Sequence, residues 1–361
     1  MLQCLGMRLG GWLEQGISAT GRYSADGYNG VVGFNDRDRE YQMNQLYLYL
    51  ERKVDTGGCG ADWGGRVDLL YGTDARYTQA AGLEDRWQQS ERFYQVSAPQ
   101  FYLDIGLNDW TVRMGHFYTI LGYEVVPAPD NFFYSHSYSM MYGEPFTHTG
   151  LLLMRKLGDQ LTISGGVTRG IDQFEDTDGL DTVDFLGGVT WTSEEERLSL
   201  AFAITAGELG PGNSTWIYST VAKLKLSERL EYVLQHDFGQ SVGATKAEWY
   251  SLLQNLVYRI NPCWAFGLRY EWFGDPDGFC VSGNGDGDPW TVYDNPHTGP
   301  YQGDFQEVSL GLNWKPRANL TFRPELRWDW FAGSTEAGSE RPFAGNRNSQ
   351  FMAACDMIVT W

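Results

Sequence analysis

Residues 349–361 read SQFMAACDMIVTW and end the chain on an aromatic side chain. Phe351, Met357 and Trp361 belong to one apolar set, which alternates residue by residue with a second set that contains Asp356. A period of two is the side-chain period of a β-strand, in which successive side chains point to opposite faces. The end of the chain is therefore predicted to be a long strand.

The same alternation recurs upstream, with a division of side chains that bears on the architecture. Residues 320–330 read LTFRPELRWDW, so one face is aliphatic and aromatic while the other carries Arg323, Glu325, Arg327 and Asp329. A β-sandwich would need a partner sheet to cover each apolar face. A transmembrane barrel instead turns that face to lipid and the polar face to its lumen.

Composition and charge narrow the class of protein. Aromatic residues make up 15% of the chain, 44 of its residues are Gly, and the mean hydropathy is −0.39. No stretch of eighteen apolar residues occurs, which excludes a transmembrane helix but not a barrel strand. The net charge of −19 argues against nucleic acid as a partner, because phosphate binding requires clustered Lys and Arg.

The pattern predicts sixteen strands, an even number of the kind found in single-chain bacterial barrels. The predicted segments are 10–22, 41–54, 63–73, 93–107, 110–120, 146–157, 160–170, 182–193, 196–207, 214–226, 229–239, 247–260, 263–273, 304–315, 319–331 and 349–361. The fold class is thus all-β, an antiparallel up-and-down transmembrane barrel that occupies residues 1–361 as a single domain. No helix and no second domain are predicted.

The connections alternate between short and long. The short ones are 108–109, 158–159, 193–195, 227–228, 261–262 and 316–318. The long ones are 23–40, 74–92, 121–145, 171–181, 240–246, 274–303 and 332–348. The connection 208–213 occupies the position of a long one but is brief. Short periplasmic turns and long extracellular loops distinguish the two rims of outer-membrane barrels, so both termini are predicted to lie at the periplasmic rim.

Aromatic side chains support a location in the outer membrane. Trp249, Trp314 and Trp330 lie near strand ends and are interpreted as members of interfacial girdles. Trp361 ends an alternating strand, the pattern that bacterial barrel-assembly machinery recognises, so it is interpreted as a membrane-insertion signal and that machinery as a partner during biogenesis. Residues 1–10 do not contain a secretory signal peptide, which such a protein is expected to have.

Particular residues resemble a known family over essentially the whole chain, most specifically within 115–150. The stretches that carry the resemblance are 11–16 (GWLEQG), 35–37 (NDR), 41–47 (YQMNQLY), 62–74 (DWGGRVDLLYGTD), 115–119 (GHFYT), 122–124 (GYE), 131–136 (NFFYSH) and 143–150 (GEPFTHTG). They look like the putative β-barrel porin-2 (OmpL-like) family of planctomycete-type bacteria. The resemblance implies an outer-membrane porin without a defined substrate.

The loop 121–145 follows the fifth predicted strand and is the third long loop. In sixteen-strand general porins this loop folds into the lumen and narrows it, an analogy of fold only. The predicted constriction residues combine aromatic and ionisable side chains: Glu124, Asp130, Phe132, Phe133, Tyr134, His136 and Glu144. The alternative is a loop that caps the barrel mouth or contacts a neighbouring subunit.

Charged side chains on the polar strand faces are predicted to face the lumen. They are Arg66, Asp68, Asp104, Arg113, Arg269, Glu271, Arg323, Glu325, Arg327 and Asp329. Rings of charged side chains set ion selectivity in wide pores, and Arg323 and Arg327 opposite an acidic loop would create a transverse field. Alternatively, these residues pair with one another across strands.

Two outer loops are strongly acidic. The segments 171–181 and 274–303 contain ten Asp or Glu and no Lys or Arg. Such vestibules concentrate cations, so a weak preference for cations is predicted. Asn284, Asp286 and Asp288 have the spacing of a calcium loop, but the remaining ligands are missing and a solvated acidic loop is the preferred interpretation.

No catalytic motif of a known hydrolase or nucleotide-binding enzyme occurs, and neither an enzyme nor a cofactor is predicted. His116, His136 and His148 lie near the third long loop and could converge on a metal, although hydrogen-bonding roles are favoured. The five Cys, at 4, 59, 263, 280 and 355, have no zinc or redox spacing and are interpreted as free.

The predicted function is that of an outer-membrane porin for passive diffusion of small hydrophilic solutes or cations. The lumen is filled with water and narrowed by the loop 121–145. Membrane lipid is a predicted partner, and assembly into a homotrimer follows by analogy with other porins. The alternative is a non-conducting barrel that serves as a surface anchor or binding protein.

Overall fold

The computed structural model describes residues 5–24, 26–84, 87, 92–175, 183–208, 212–243, 246–281, 300–335, 341–344 and 346–361. Almost all of its regular structure is antiparallel strand. The strands are β1 (Met7–Thr20), β2 (Tyr41–Arg52), β3 (Ala61–Gly72), β4 (Gln95–Ser97), β5 (Phe101–Leu107), β6 (Trp110–Tyr118), β7 (Thr147–Leu157), β8 (Leu161–Thr168), β9 (Asp184–Thr192), β10 (Leu198–Glu208), β11 (Asn213–Lys225), β12 (Leu230–Gly243), β13 (Ala247–Asn261), β14 (Trp264–Asp275), β15 (Tyr301–Arg317), β16 (Leu320–Thr335) and β17 (Ser349–Thr360).

The strands form one closed sheet. β17 pairs with β1, and the main chains of Gly11 and Trp361 exchange two hydrogen bonds of 3.2 and 3.0 Å. β4 and β5 both pair with β3 and are two parts of one barrel strand, interrupted at residues 98–100. The prediction of a sixteen-strand antiparallel barrel is confirmed.

The predicted strand limits differ from the observed ones by at most four residues, at the ends of β12 and β16. Both of these strands continue past the predicted end toward the long-loop rim. The break between β4 and β5 was not predicted, because the alternation of residues 93–107 gives no sign of the bulge that separates the two parts.

The barrel exposes apolar side chains on its outer face and buries charged ones on its inner face, which is the reverse of the arrangement in a soluble protein. On β16 the outward Leu326 and Trp328 are 47% and 52% exposed, while the inward Arg323 and Arg327 are almost fully buried. An apolar exposed face suits contact with lipid, and the polar inner face explains why the mean hydropathy of the chain is low. The alternation that predicted the strands thus also gave the correct assignment of their two faces on β16.

Two of the tryptophans predicted for the aromatic girdles lie in different environments. Trp314 points outward, is 39% exposed and stacks on Trp264 at 5.6 Å between ring centroids. Trp249 is fully buried in the lumen, where its Nε1 donates to the carbonyl of Gly143 at 3.1 Å. The interpretation of Trp249 as a girdle residue is wrong, because its position in β13 places it on the inner face.

The helical turns that lie wholly within the described residues are short and belong to the loops, at Asp74–Tyr77, Ala128–Asp130 and Ser139–Gly143. Among these residues, no helix is long and apolar enough to cross a membrane.

Candidate functional site

The loop 121–145 lies inside the barrel. It leaves β6 after Tyr118, and residues 133–146 are all buried. Its apolar side chains Phe133, Tyr134, Met140 and Met141 are at most 4% exposed. Loops generally stay at the surface because an irregular backbone has polar groups that burial would leave unpaired. The buried loop therefore needs partners for its backbone, and the barrel wall supplies them.

Inward-facing carboxylates accept hydrogen bonds from consecutive amides of the loop. Glu325 accepts from the backbone N–H groups of Tyr134 and Ser135 at 2.9 and 3.0 Å. Glu271 accepts from those of Tyr138 and Ser139 at 2.6 and 2.7 Å. Each glutamate thus accepts from two consecutive amides, and together they hold two successive turns of the loop.

Inward-facing guanidinium groups bind the carbonyl oxygens of the same loop. Arg323 Nη1 donates to the carbonyls of Ala128, Asn131 and Phe133 at 2.9 to 3.0 Å. Arg269 donates to the carbonyl of Ser135 at 2.7 Å and Arg327 to that of His136 at 2.5 Å. The charged side chains of β14 and β16 thus form the hydrogen bonds with the loop backbone that regular secondary structure would otherwise provide.

The arginines are also neutralised by carboxylates, which satisfies the requirement that buried charges be paired. Arg323 lies 2.7 Å from Glu14 and 2.6 Å from Asp356. Arg269 lies 2.5 Å from Glu307 and 2.7 Å from Glu124, which belongs to the loop.

Glu124 remains ionised in this buried environment. Burial by itself would raise its pKa, but Arg269 outweighs that effect, with help from His136 and the amide of Ser137, and holds the pKa of Glu124 below its usual range.

Two glycines on the wall make room for the aromatic end of the loop. A Cβ at Gly267 of β14 would lie 2.2 Å from the ring of Phe132, and one at Gly311 of β15 would lie 2.9 Å from the ring of Phe133. Only a residue without a side chain permits this approach. The loop and the wall are therefore complementary in shape as well as in charge.

Replacing Gly267 with Val should displace Phe132 and loosen this end of the loop, because the new side chain would overlap the ring. We expect increased current noise and a higher mean conductance in planar bilayers. Gly165→Val is the matched control, since a Cβ at Gly165 meets no atom within 4 Å. Indistinguishable recordings from the two variants would show that Phe132 does not need the space beside Gly267.

The other end of the loop is fastened to β12 and β13. The backbone N–H of Tyr123 donates to Gln235 Oε1 at 2.7 Å, and Gln235 Nε2 donates to Glu144 and to Asp237. Burial raises the pKa of Glu144 above its usual range, and the adjacent Asp237 raises it further. Together with the Trp249–Gly143 bond, these contacts fix residues 143 and 144.

A pH dependence follows from Glu144 and from Asp172, which accepts from the amides of Phe146 and Thr147 at 2.6 to 3.2 Å. Burial raises the pKa of Asp172 from its ordinary 3.8 to about 6. The folded protein binds these two protons more tightly than the unfolded chain, so the stability that Asp172 contributes is fully present below about pH 4 and is lost as pH rises through its folded pKa. We expect the contribution of Asp172 to the free energy of unfolding to decline between about pH 4 and 6, and that of Glu144 to decline as pH rises above its ordinary pKa of 4.5.

The double variant Glu144→Gln, Asp172→Asn should flatten this decline in pH-dependent denaturation. Asp159→Asn, in an exposed short turn, is the control and should keep it. A double variant with the same decline as the unaltered chain would assign the pH dependence to other groups.

The wall formed by β3, β5 and β6 differs from the wall formed by β14 to β16. Arg66 lies 2.7 Å from Asp68, Arg113 lies 2.9 Å from Asp104, and the two arginine side chains remain 18% and 22% exposed. The arginines of β14 and β16 are 0 to 2% exposed. All ten predicted lumen charges thus face inward, but the loop covers those of β14 and β16 and leaves part of those on β3, β5 and β6 in contact with solvent.

Asp130 lies at the exposed turn of the loop, between two cavities that open toward the short-turn rim. One cavity has a volume of about 510 Å³ and is lined by Arg8, Tyr49, Lys53 and Arg66. The other, of about 340 Å³, is lined by Tyr123, Phe132, Arg259 and Lys315 among others. Asp130 and Phe132 therefore face space inside the barrel, whereas Phe133 and Tyr134 are packed against its wall.

Two further loops, 23–40 and 74–92, also have residues that fold inward, although inward folding was predicted only for the loop 121–145. Phe34, from the segment 23–40, stacks on Tyr77 at 4.6 Å and lies 4.3 Å from the His136 ring. Arg76 and Asp36 form an ion pair of 2.9 Å between the same two loops. The apolar run Val31-Val32-Gly33-Phe34 could have signalled this burial, as Phe132 to Tyr134 did for the third loop.

The three histidines do not converge. His116 contacts Thr149 at 2.8 Å, His148 contacts Thr119 at 3.1 Å, and His136 lies 3.7 Å from Glu124. Among the described residues, no group of three His, Cys, Asp or Glu side chains could hold a metal ion. The cysteines at 59, 263 and 355 are free thiols, while Cys4 and the calcium candidates Asn284, Asp286 and Asp288 lie outside the described residues.

A family model described as "Putative beta-barrel porin-2, OmpL-like" matches residues 6–361. No curated protein sequence matches the chain.

Solved structures that resemble the chain are outer-membrane proteins of low sequence identity. The channel DcaP of Acinetobacter baumannii is 12% identical with a TM-score of 0.63, and the match covers 98% of this chain and 97% of that one. An anion-selective porin from Comamonas acidovorans is 11% identical with a TM-score of 0.64, over 98% and 99% of the two chains. OprB of Pseudomonas putida is 12% identical with a TM-score of 0.63, over 100% and 95%. At such identities the likeness shows the fold.

Proposed function

The chain belongs to the Putative beta-barrel porin-2, OmpL-like family, and we propose that the loop 121–145 sets the narrowest part of its lumen. It is a porin of the bacterial outer membrane, a channel for the diffusion of solutes. Small hydrophilic solutes and ions pass between the loop and the wall of β3, β5 and β6. The observation that carries this route is the difference in exposure between the arginines of the two walls.

The two sets of lumen charges have different roles in this proposal. Arg66, Asp104 and Arg113 retain contact with solvent and line the route, together with Asp130 of the loop. Arg269, Glu271, Arg323, Glu325, Arg327 and Asp329 hold the loop in place. This division favours the pairing alternative for β14 and β16 over a transverse field from exposed arginines.

A weak preference for cations is part of the proposal, because the chain carries a net charge of −19 and its outer segments are acidic. We infer that the chain is a channel without catalytic activity, as the family and the fold suggest. Assembly into a homotrimer is proposed by analogy with a solved relative, OmpT of Vibrio cholerae, which is described in a trimer form.

Planar-bilayer recording of the purified protein tests the route and the selectivity. We expect stepwise current increments, and a reversal potential in a salt gradient that indicates a modest excess of cation flux. Replacing Arg113 with Gln should shift that potential further toward cations, whereas Arg155→Gln, on the outward face of β7, should leave it unchanged. The absence of current steps would contradict a channel, and equal shifts in both variants would contradict the route along β6.

One observation favours a second function, that of a non-conducting anchor or binding protein. The loops 23–40 and 121–145 bury Val31, Phe34, Tyr138 and Tyr142 against one another inside the barrel, and Tyr142 donates to the carbonyl of Val31 at 2.7 Å. A core of this kind fills part of the lumen on the long-loop side. Solute exclusion from liposomes that contain correctly folded protein would support this alternative.

A further inference from the structure

A small cavity lies between the two ends of the loop 121–145, where the chain leaves β6 and returns toward β7. Its volume is about 120 Å³, and most of its lining is apolar. The apolar lining residues include Leu121, Val125, Val126, Pro127, Met140 and Phe146. Leu121, Val126 and Met140 are only 3 to 4% exposed, so closely packed hydrocarbon surrounds the cavity on the side of the loop.

The cavity adjoins the proposed route of the solute. Pro127 and Asp130 line both this cavity and the cavity of about 510 Å³, which opens toward the short-turn rim. Tyr118 of β6 also lines the small cavity, on the wall along which solutes are proposed to pass. Val125 is 38% exposed, so the cavity is in contact with the solvent of the lumen. A solute that moves along β6 therefore has access to it.

The charged side chains that line the small cavity in the described structure are all acidic. They are Glu124, Asp130 and Glu144. Glu124 is paired with Arg269, and Glu144 accepts a hydrogen bond from Gln235. Asp130, by contrast, forms no ion pair with any described residue, and its side chain is exposed. Its carboxylate is therefore available to a cation that enters the cavity.

The basic side chains near Asp130 line the two neighbouring cavities. They are Arg8, Lys53 and Arg66 in the cavity of about 510 Å³, and Arg259 and Lys315 in that of about 340 Å³. Arg66 is held by Asp68 at 2.7 Å and by Glu51 at 3.5 Å. Among the described residues, no Lys or Arg lines the small cavity, which thus combines a carboxylate with apolar surface.

We propose that this cavity is a binding site for small alkylammonium ions, with the alkyl group against Leu121, Val126 and Met140 and the ammonium group beside Asp130. The inference rests on the proposed passage of solutes along β6 and names one class of solute. A cavity of about 150 Å³ lined by Leu, Ile and Phe holds benzene, so one of about 120 Å³ suits a branched alkyl group of roughly four carbons. Burial of that group supplies the affinity, and the carboxylate favours a positive charge.

Saturation-transfer NMR on the folded barrel in detergent tests the site, because it detects weak binding whether or not the lumen conducts. The probes are isobutylamine, isobutanol and isovalerate, which share one isobutyl group and are cationic, neutral and anionic at neutral pH. We expect the ammonium ion to bind about fivefold more tightly than the alcohol. Isovalerate should give no signal above that of a sample without protein. Methylammonium, which lacks three of the four carbons, should bind on the order of tenfold more weakly than isobutylammonium.

Two variants test the two halves of the site. Asp130→Asn should weaken the binding of isobutylammonium about threefold and leave that of isobutanol unchanged. Val126→Thr should weaken the binding of both about fivefold, because a hydroxyl group replaces a methyl group in the apolar lining. The matched controls are Asp159→Asn, in an exposed short turn, and Val32→Thr, at a buried position of the loop 23–40, and neither should change the dissociation constants. If Val126→Thr does not fold, Asp130→Asn at its exposed position decides the question.

The outcomes separate this inference from the function on which it rests. Equal binding of isobutylammonium and isovalerate would overturn the site, as would an Asp130→Asn variant that binds isobutylammonium as tightly as its control does. Planar-bilayer recordings of the same preparation report on the channel. Current steps without binding of isobutylammonium would remove the site and leave the channel. Binding without current steps would leave the site and remove the channel, and with it the passage of the bound ion.

Discussion

Arg323→Ala should lower the free energy of unfolding by about 3 to 5 kcal/mol, the cost of breaking a buried ion pair by removal of one partner. The substitution leaves Glu14 and Asp356 buried without their cation, and it removes the donor to three loop carbonyls. Denaturant titration of the barrel folded into lipid vesicles measures the change. The loop should also become susceptible to protease while the barrel remains folded.

Arg113→Ala is the control for that substitution. Arg113 also pairs with a carboxylate, but its side chain is 22% exposed and water can hydrate Asp104 when the arginine is lost. Removal of such a partly exposed pair should cost about 1 kcal/mol or less. Arg323→Lys should be intermediate, because an ammonium group keeps the charge but cannot reproduce the contacts of the planar guanidinium. Equal losses for Arg113→Ala and Arg323→Ala would contradict the clamping role of Arg323.

Replacement of residues 124–143 with a short Gly-Ser linker should increase the single-channel conductance several-fold. The loop occupies the lumen, and its removal would expose the charges of β14 and β16 to water. The matched control is a substitution of residues 56–59 in an exposed connection on the other rim, which should leave conductance unchanged. A replaced loop with unaltered conductance would show that the constriction lies elsewhere.

The same replacement separates the two candidate functions. A porin should conduct before the change and conduct more afterward. A non-conducting anchor should show no current until the loop is removed. Folding of each variant is checked by resistance of the barrel to dissociation in detergent without heating.

The sequence predicted the barrel well because alternation is a local property. In 320–330 the type of each side chain indicates the face of the strand on which it lies. Arg323 could therefore be assigned to the lumen and Leu326 to the lipid face without knowledge of any other strand. The short and long connections then fixed which rim the loops occupy. Long-range information was needed only for the closing pair β1–β17, and the even strand number implied it.

The role of the inward charges was harder to predict, because the alternation does not show what an inward side chain meets. Arg269 and Arg113 both face the lumen, yet one is covered by the loop and the other stays partly exposed. Trp249 was misplaced for a related reason. In the outer half of β13 apolar side chains occur on both faces, Leu253 on the inner and Leu252 on the outer, so a tryptophan near the strand end fitted a girdle as well as it fitted the anchor of a loop.

The clamped loop has a consequence for how the protein folds. Its partners lie far along the chain: Glu325 is 191 residues from Tyr134, and Arg323 is 190 residues from Phe133. Contacts of such long sequence separation form slowly, because the intervening chain must first be ordered. β16 also follows the loop along the chain at a distance of many strands, so the loop cannot acquire the partners on β16 until that strand has been synthesised. Closure of β17 against β1 would then enclose the loop, and a chain that closes before the loop has docked would have to reopen to correct the error.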